Sequence, residues 1–247
     1  MSFSVTVLGS SGTFGTLERA ASGYLVQFDE QRLLMDVGGG TWRNLIGHIA
    51  YHELDGVLLS HRHPDHVIDL WQLYHARSYG DVQPLANIPL WAPQETINSL
   101  LGFDDALGES FDLHALTEET EIRIGDALLT FTAMKHPPET YGVRVTQGSA
   151  VLAYTADTGP EADFLRLASG ASVLICEATL QDSDEEWWGH LSARQAGEIA
   201  ARCGVGEVVL THLRPGRDSE TSLSEAKAAS GGVEVKIASD GLRLEVG

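Results

Sequence analysis

Short apolar runs closed by small or polar residues recur along the chain, and this pattern predicts a protein rich in buried strands. The predicted strands cover residues 3–8, 23–28, 32–37, 55–60, 88–91, 128–134, 141–145, 150–155, 172–176 and 207–211. Helical patterns lie between some of them, at residues 41–51, 67–77, 93–101, 160–168, 192–203 and 222–229. Proline opens two of these helices, as helix starts often do, and Ser192 is a typical N-cap residue.

The order of these elements predicts an α+β fold. The first strands follow one another without helices, as in an antiparallel meander, whereas later strands alternate with helices. This mixture favours two packed sheets with helices outside over one doubly wound sheet. No low-complexity linker interrupts the sequence, so we expect a single domain over residues 1–247. Segments 55–61 and 206–212 both end in a hydroxyl residue and a histidine, and this similarity suggests two related halves.

The charge of the chain excludes several partners. Acidic side chains number 35 against 16 basic ones, a formal net charge of −19 over 247 residues. A protein that coats nucleic acid grips phosphates with clustered lysine and arginine, and a polybasic membrane anchor also needs cations, so we expect neither. A small anionic substrate stays compatible with this acidity if bound metal supplies local positive charge.

The sequence also predicts the compartment. The first eight residues have no basic start and no long apolar core, and no apolar stretch approaches the ~20 residues of a membrane span. Cys176 and Cys203 form no disulfide framework and fit two reduced thiols, with Cys176 inside a buried strand. We therefore expect a cytoplasmic protein without membrane contact.

The strongest chemical signal is a cluster of metal-capable side chains directly after an apolar strand, His61-Arg62-His63-Pro64-Asp65-His66. Imidazole and carboxylate groups are ligands that suit zinc and related cations. In an extended chain, His61 and His63 point the same way and can share one ion. Asp65 and His66 then turn with the chain toward a second ion. A histidine-rich surface loop is the alternative, but three of the chain's ten histidines within six positions argue against it.

Three more candidate ligands follow later predicted strands. His136 comes after residues 128–135, Asp157 after 151–156, and His212 after 208–211. Each alone fits an ordinary loop residue. Together they share one location, the carboxyl ends of buried strands, where side chains from separate strands converge on a site.

These spacings resemble the metallo-β-lactamase fold superfamily over nearly the whole chain: His-x-His-x-Asp-His, a lone histidine, Ala-x-Asp-Thr and a strand-end histidine. The resemblance implies a four-layer αββα sandwich with a two-metal site at one edge. It also implies that Asp36, in a segment similar to an early element of that fold, supports the site without binding metal. The implied ligands are His61, His63 and His136 for the first ion, and Asp65, His66 and His212 for the second, with Asp157 bridging. The expected cofactors are two divalent ions, zinc in first place and manganese or iron as alternatives.

The resemblance also narrows the chemistry. Redox members with two irons usually carry glutamate where this chain has His63, and metallo-β-lactamases proper lack the bridging aspartate. The stretch Cys176-Glu177-Ala178-Thr179, followed by Gly189-His190-Leu191-Ser192-Ala193, resembles the phosphodiesterase branch that contains tRNase Z. By that resemblance, Glu177 and His190 form a pair whose histidine protonates the leaving alkoxide, and Asp65 also orients the nucleophile. Without it, His190 would be interpreted as a surface histidine before a helix.

The segment between His136 and Asp157 bears on the substrate. Bacterial tRNA-processing members carry a long arm there that clamps the tRNA elbow, whereas residues 137–156 fit two strands with a turn at Gln147-Gly148. Together with the acidity, this favours a small nucleotide phosphodiester, and the layout resembles a bacterial branch associated with cyclic-nucleotide phosphodiesterase activity. We therefore expect hydrolysis of small or cyclic nucleotides such as cyclic AMP. The alternatives are a tRNA 3′-end endonuclease, an ester or lactone hydrolase, and a non-catalytic scaffold.

Two further features have open interpretations. Adjacent Trp187 and Trp188 cannot both face one core from a helix, so we expect partial exposure, with a lid or a homodimer contact as alternatives. The glycine-rich segment 9–13 lacks the lysine of a phosphate-binding P-loop and is expected at the rim of the pocket.

Overall fold

The computed structural model describes residues 2–247 and contains fourteen strands and seven α-helices within that range. The strands are β1 (Phe3–Gly9), β2 (Gly23–Phe28), β3 (Gln31–Val37), β4 (Gly56–Leu58), β5 (Ile88–Pro93), β6 (Phe111–Leu116), β7 (Glu121–Ile124), β8 (Ala127–Ala133), β9 (Tyr141–Gln147), β10 (Ala150–Tyr154), β11 (Val173–Glu177), β12 (Glu207–Thr211), β13 (Glu234–Ile237) and β14 (Arg243–Glu245). The helices are α1 (Thr41–Leu45), α2 (Pro64–Val67), α3 (Leu70–Tyr79), α4 (Gln94–Phe103), α5 (Phe164–Ala168), α6 (Ala193–Cys203) and α7 (Ser219–Ala229). Short 3₁₀ turns lie at Tyr51–Glu53 and Asp105–Glu109.

The strands form two seven-stranded mixed sheets. Their orders are β14-β1-β2-β3-β4-β5-β6 and β7-β8-β9-β10-β11-β12-β13. In each sheet, three antiparallel pairs are followed by three parallel pairs, so the two sheets repeat one plan. This repeat supports two related halves. The similar segments 55–61 and 206–212 are not counterparts, however, because β4 is fifth in its sheet and β12 is sixth.

Three apolar clusters hold the layers together. One lies between the sheets and includes Val5, Val26, Val143 and Val209. A second packs α1, α3 and α4 on the first sheet, and a third packs α5, α6 and α7 on the other sheet. The result is the predicted four-layer αββα sandwich, and its fold class is confirmed.

The ten predicted strands are all present, but four strands were missed. These are β6, β7, β13 and β14, which are the four edge strands of the two sheets. Edge strands face solvent on one side and are short, so their apolar pattern is weak; in β14 only Leu244 is buried.

Several helix boundaries also differ from the prediction. The helix predicted at 41–51 ends at Leu45, and the one predicted at 67–77 corresponds to α3, which begins at Leu70 after the separate short helix α2. The helix predicted to open at Pro160 starts at Phe164 instead, because the Asp163 side chain caps it by accepting from the Arg166 amide. Among residues 2–247, no helix combines the length and the apolar character that crossing a bilayer requires.

Candidate metal centre

All seven predicted metal ligands lie close together, and strands of both sheets place them there. They are His61 and His63 after β4, Asp65 and His66 in α2, His136 after β8, Asp157 after β10, and His212 after β12. Pro64 begins α2 immediately after His63, so the chain turns between the first pair of residues and the second. This turn directs the two pairs to different parts of one site.

The first group consists of His61, His63, His136 and Asp157. The Nδ1 atom of His63 is 3.1 Å from Nε2 of His61 and 3.2 Å from Nε2 of His136. The Oδ2 atom of Asp157 is 3.6 Å and 3.7 Å from those two Nε2 atoms. Four ligands around a tetrahedral zinc with bonds of 2.0–2.1 Å would be about 3.3–3.4 Å apart, so this spacing fits one ion.

The second group consists of Asp65, His66 and His212. The Oδ2 atom of Asp65 is 3.2 Å from Nε2 of His212 and 3.8 Å from Nε2 of His66. The other oxygen of Asp157, Oδ1, is 3.4 Å and 3.3 Å from the same two nitrogens. Asp157 thus presents one oxygen to each group, which is the arrangement of a bridging carboxylate.

Hydrogen bonds around Asp36 fix the tautomers of two of these histidines. Asp36 Oδ2 accepts from Nδ1 of His66 at 2.8 Å and from the hydroxyls of Ser60 and Tyr154, each at 2.8 Å. Because the Ser60 hydroxyl donates to Asp36, its oxygen accepts from Nδ1 of His61 at 2.9 Å. Both histidines therefore keep the lone pair of Nε2 for the site, as metal-binding histidines do.

Two other histidines are oriented in the same way. Nδ1 of His136 donates to the carbonyl of Gly189 at 2.7 Å. The Thr179 hydroxyl donates to Oε2 of Glu177 at 2.7 Å, so its oxygen accepts from Nδ1 of His212 at 2.8 Å. Four imidazoles thus turn a lone pair toward the same small volume, an arrangement that is repulsive unless a cation lies between them.

The electrostatics of the site favour a cation as well. Burial lowers the pKa of His61, His63 and His136, which keeps these imidazoles neutral and able to coordinate. Burial would also lower the pKa of His66, but the carboxylates of Asp157 and Asp36 raise it well above its usual value. Positive charge is therefore stabilised at this position.

Asp157 is ionised despite being enclosed. Burial disfavours its charge, but the neighbouring imidazoles of His212 and His66 hold its pKa well below the usual range. Within residues 2–247, its Oδ1 atom and the Nε2 atom of His66 are buried and have no hydrogen-bond partner. Unpaired buried polar atoms are rare in proteins. Both atoms belong to the second ligand group, so a cation there would satisfy both, and the residues fit a divalent metal.

Glu177 and His190 form the predicted pair beside the ligands. Nδ1 of His190 lies 2.8 Å from Oε1 of Glu177, and the amide of Thr158 donates to the same oxygen at 2.6 Å. Burial would lower the pKa of His190, but the adjacent Glu177 carboxylate raises it to about 9. His190 is therefore a protonated imidazole at neutral pH, and its side chain is 15% exposed.

The segment 9–13 lies at the rim of the site, as expected from its sequence. The amide of Thr13 donates to Oδ2 of Asp65 at 2.7 Å. Gly12 packs so closely on His212 that a Cβ atom there would lie 2.8 Å from Nδ1 of the imidazole. Glycine is needed at this position because no side chain fits.

Several residues that support the site were not identified from the sequence. Ser60, Thr179 and Tyr154 hold the ligands through single hydroxyl groups, and Gly189 does so through its carbonyl. The only signal for Thr179 was its place two residues after Glu177 in a segment similar to a known branch.

Residues 137–156 contain no long arm. They form β9 and β10, which pair as an antiparallel hairpin around Gln147–Ala150. Cys176 lies inside β11 and is buried, so it is placed in the core and is not a ligand.

Fold and ligand groups together define a metallo-hydrolase of the metallo-β-lactamase fold. A family model described as "Beta-lactamase superfamily domain" matches residues 31–213, and the chain belongs to this superfamily. The predicted family is thereby confirmed.

Proteins of similar sequence support the assignment to this superfamily. The "Probable metallo-hydrolase YhfI" of Bacillus subtilis is 32% identical over 248 residues, covering 98% of this chain and 99% of the relative. Its crystal structure superposes with a TM-score of 0.90 and covers 98% of each chain. The protein Rv1339 of Mycobacterium tuberculosis is 36% identical over 238 residues, which is 92% of this chain and 87% of the relative.

A more distant relative is named as a ribonuclease. The "Ribonuclease Z" of Archaeoglobus fulgidus is 25% identical over 306 residues, covering 100% of this chain and 98% of the relative. That alignment exceeds the 247 residues of this chain by 59 positions, so the ribonuclease carries insertions that this chain lacks.

Proposed function

We propose that this protein is a dinuclear metal-dependent phosphodiesterase that acts on small or cyclic nucleotides such as cyclic AMP. The observation that carries the proposal is the hydrogen-bonded Glu177–His190 pair next to two ligand groups that share Asp157. A positioned acid is required when the leaving group is a poor one, such as the alkoxide of a sugar.

The proposed ligand roles follow the two groups in the structure. His61, His63 and His136 hold one ion, and Asp65, His66 and His212 hold the other, with Asp157 between them. Two divalent ions there, zinc or alternatively manganese or iron, would supply Lewis-acid stabilisation of the phosphoryl oxygens and make water at the site more acidic.

The side chains of the protein supply the remaining steps. Water adds to phosphorus and releases one proton to the solvent, while the bond from phosphorus to the ester oxygen breaks and the departing oxygen takes a proton from Nε2 of His190. Glu177 keeps Nδ1 of that ring engaged, so the proton can be delivered only from the side that faces the ligands. Asp65, held by the Thr13 amide, orients the attacking water.

Charge and shape support a small substrate. A net charge of −19 repels a polyanion, whereas a small anion meets mainly the local field of the bound cations. The hairpin at β9 and β10 offers no arm for tRNA. The relatives named ribonuclease Z keep tRNA 3′-end processing as a second candidate, and their insertions relative to this chain count against it.

A substrate panel tests the proposal. Bis-p-nitrophenyl phosphate, cyclic AMP, a precursor tRNA and a lactone are each assayed with added zinc or manganese and with a chelator. We expect turnover of the two small phosphodiesters that stops on chelation. His114→Ala, which removes an exposed histidine on β6, serves as a control and should behave as the wild type. Turnover of the lactone alone would refute phosphodiester hydrolysis, and turnover of the tRNA alone would establish the second candidate.

The proposal extends to the domain organisation, the location and the assembly of the protein. We treat residues 1–247 as one catalytic domain, because the ligands come from strands of both sheets. The two free cysteines support a cytoplasmic location. A twofold homodimer is the commonest assembly among soluble homo-oligomers, and sedimentation analysis would test it for this protein.

A further inference from the structure

Trp187 lies against both a proposed metal ligand and the proposed acid. Its ring centroid is 5.7 Å from that of His136, with the two planes nearly perpendicular, and 4.8 Å from that of His190. The indole also lies over Gly189, where a Cβ atom would come within 2.6 Å of the ring. The side chain is therefore wedged against the catalytic edge of the protein.

The backbone of this segment is held firmly at the site. Gly189 accepts from His136, and the amide of His190 donates to the carbonyl of Trp187 at 3.2 Å. The carbonyl of Trp188 packs on Gly159 so tightly that a Cβ atom at 159 would lie only 1.6 Å from it. Although its backbone is fixed in this way, the side chain of Trp187 is 40% exposed and Trp188 is 59% exposed. Part of the indole thus stays exposed beside the reacting groups.

A cavity adjoins the exposed part of the indole. Its volume is about 500 Å³, and Pro160, Leu180, Trp187, Trp188 and His190 are among the residues that line it. Pockets for small ligands commonly measure about 300–1,000 Å³ and have mainly apolar walls. Because His190 protonates the departing oxygen, the group attached to that oxygen must lie next to His190, and this cavity is the space available there.

The charge of the cavity limits what can occupy it. Asp182 pairs with Arg194, and Asp184 pairs with Arg217, but Glu161 and Glu186 have no ion pair among residues 2–247. Two unpaired carboxylates disfavour a second phosphate. A neutral flat ring that carries N–H donors suits both the indole and these carboxylates.

We propose that Trp187 is a specificity-determining residue that stacks on the nucleobase of the sugar whose oxygen departs toward His190. This inference rests on the proposed function and names the part of the substrate that the site selects. Stacking on an aromatic side chain suits an indole that is partly exposed and lines the cavity, and stacking tolerates any base.

The test compares two ligands that differ only in the base. AMP and ribose 5-phosphate are titrated by calorimetry into the metal-loaded wild type and into Trp187→Ala, Trp187→Phe and Trp188→Ala. We expect Trp187→Ala to weaken AMP binding roughly 5- to 100-fold and to change the affinity for ribose 5-phosphate less than about twofold. Trp187→Phe should keep most of the AMP affinity. Trp188, whose ring contacts only Trp187 among the described aromatic rings, should matter less.

Each outcome separates the inference from the proposed function. Equal weakening of both ligands, or unchanged AMP binding in Trp187→Ala, would overturn the stacking role. An equal effect of Trp188→Ala would also overturn it, since the whole loop would then be responsible. Metal content by mass spectrometry and circular dichroism show whether each variant keeps its ions and fold. If the wild type hydrolyses no phosphodiester, the proposed function fails, and the calorimetry still decides whether Trp187 recognises a base.

Discussion

The replacement His190→Ala tests the proposed acid most directly. In the structure, the imidazole is anchored at one nitrogen only, by Glu177 at 2.8 Å. Glu177 is fixed in turn by the amide of Thr158 and the hydroxyl of Thr179. The replacement leaves this carboxylate in place and removes the imidazole, which is the proposed proton donor.

The expected magnitude depends on the leaving group. With a pKa of about 9, His190 is protonated in roughly a hundred molecules for each neutral one at pH 7. Loss of a positioned general acid costs about 10²- to 10⁴-fold when the leaving group is an alkoxide. A p-nitrophenolate leaves as a stable anion and needs little protonation, so its rate should fall less than about tenfold.

The assay measures kcat/KM for cyclic AMP and for bis-p-nitrophenyl phosphate from pH 6 to pH 10. Wild-type turnover of cyclic AMP should decline as the pH rises through about 9, because the acid loses its proton, and His190→Ala should lack this decline. Metal content must be measured as well, because His190 is within reach of Asp157 and His212. An equal loss for both substrates, with both ions retained, would refute the role of His190 as an acid.

Three further replacements test the structure of the site. Asp157→Asn removes the charge that both ligand groups share, so we expect less than one ion per chain by mass spectrometry, against two in the control His114→Ala. Thr179→Val removes the oxygen that orients His212 and should weaken metal affinity about 10- to 100-fold in a chelator competition. Asp36→Asn replaces a carboxylate that accepts hydrogen bonds from Ser60, His66 and Tyr154 by a neutral amide. This change should lower the free energy of unfolding by about 3–5 kcal/mol in urea titrations.

The sequence was sufficient to predict the interior of the fold and the residues that cluster in the candidate site. Buried strands such as β11 and β12 are continuous apolar runs, and the proposed ligands follow such strands at positions that a single sequence reveals. His61 and His63 are recognisable because residues two positions apart in an extended chain share a face. The edge strands escaped prediction, since their burial depends on pairing with a strand distant in sequence.

The supporting groups were harder to predict for a different reason. Ser60 and Thr179 act through one hydroxyl each, and serine and threonine at strand ends are too common to stand out. Their roles depend on which atoms the second sheet brings near them. The hydrogen bond from Tyr154 to Asp36 spans 118 residues and joins the two sheets, so no local pattern contains it.

Residues in a strained backbone conformation are concentrated at this site. Between residues 2 and 247, five residues other than glycine have a positive φ, and four of them, Thr13, Asp36, Ala156 and His212, lie at or next to the proposed ligands. Such conformations cost about 1–3 kcal/mol each unless glycine adopts them, and they persist where the surroundings determine them strongly. Glycine would remove the strain at Asp36 and His212, but it would also remove the carboxylate and the imidazole. The strain is therefore retained where a side chain is indispensable. Ala156 turns the chain just before Asp157, and its methyl group is buried in the apolar cluster between the sheets, so this side chain is also used.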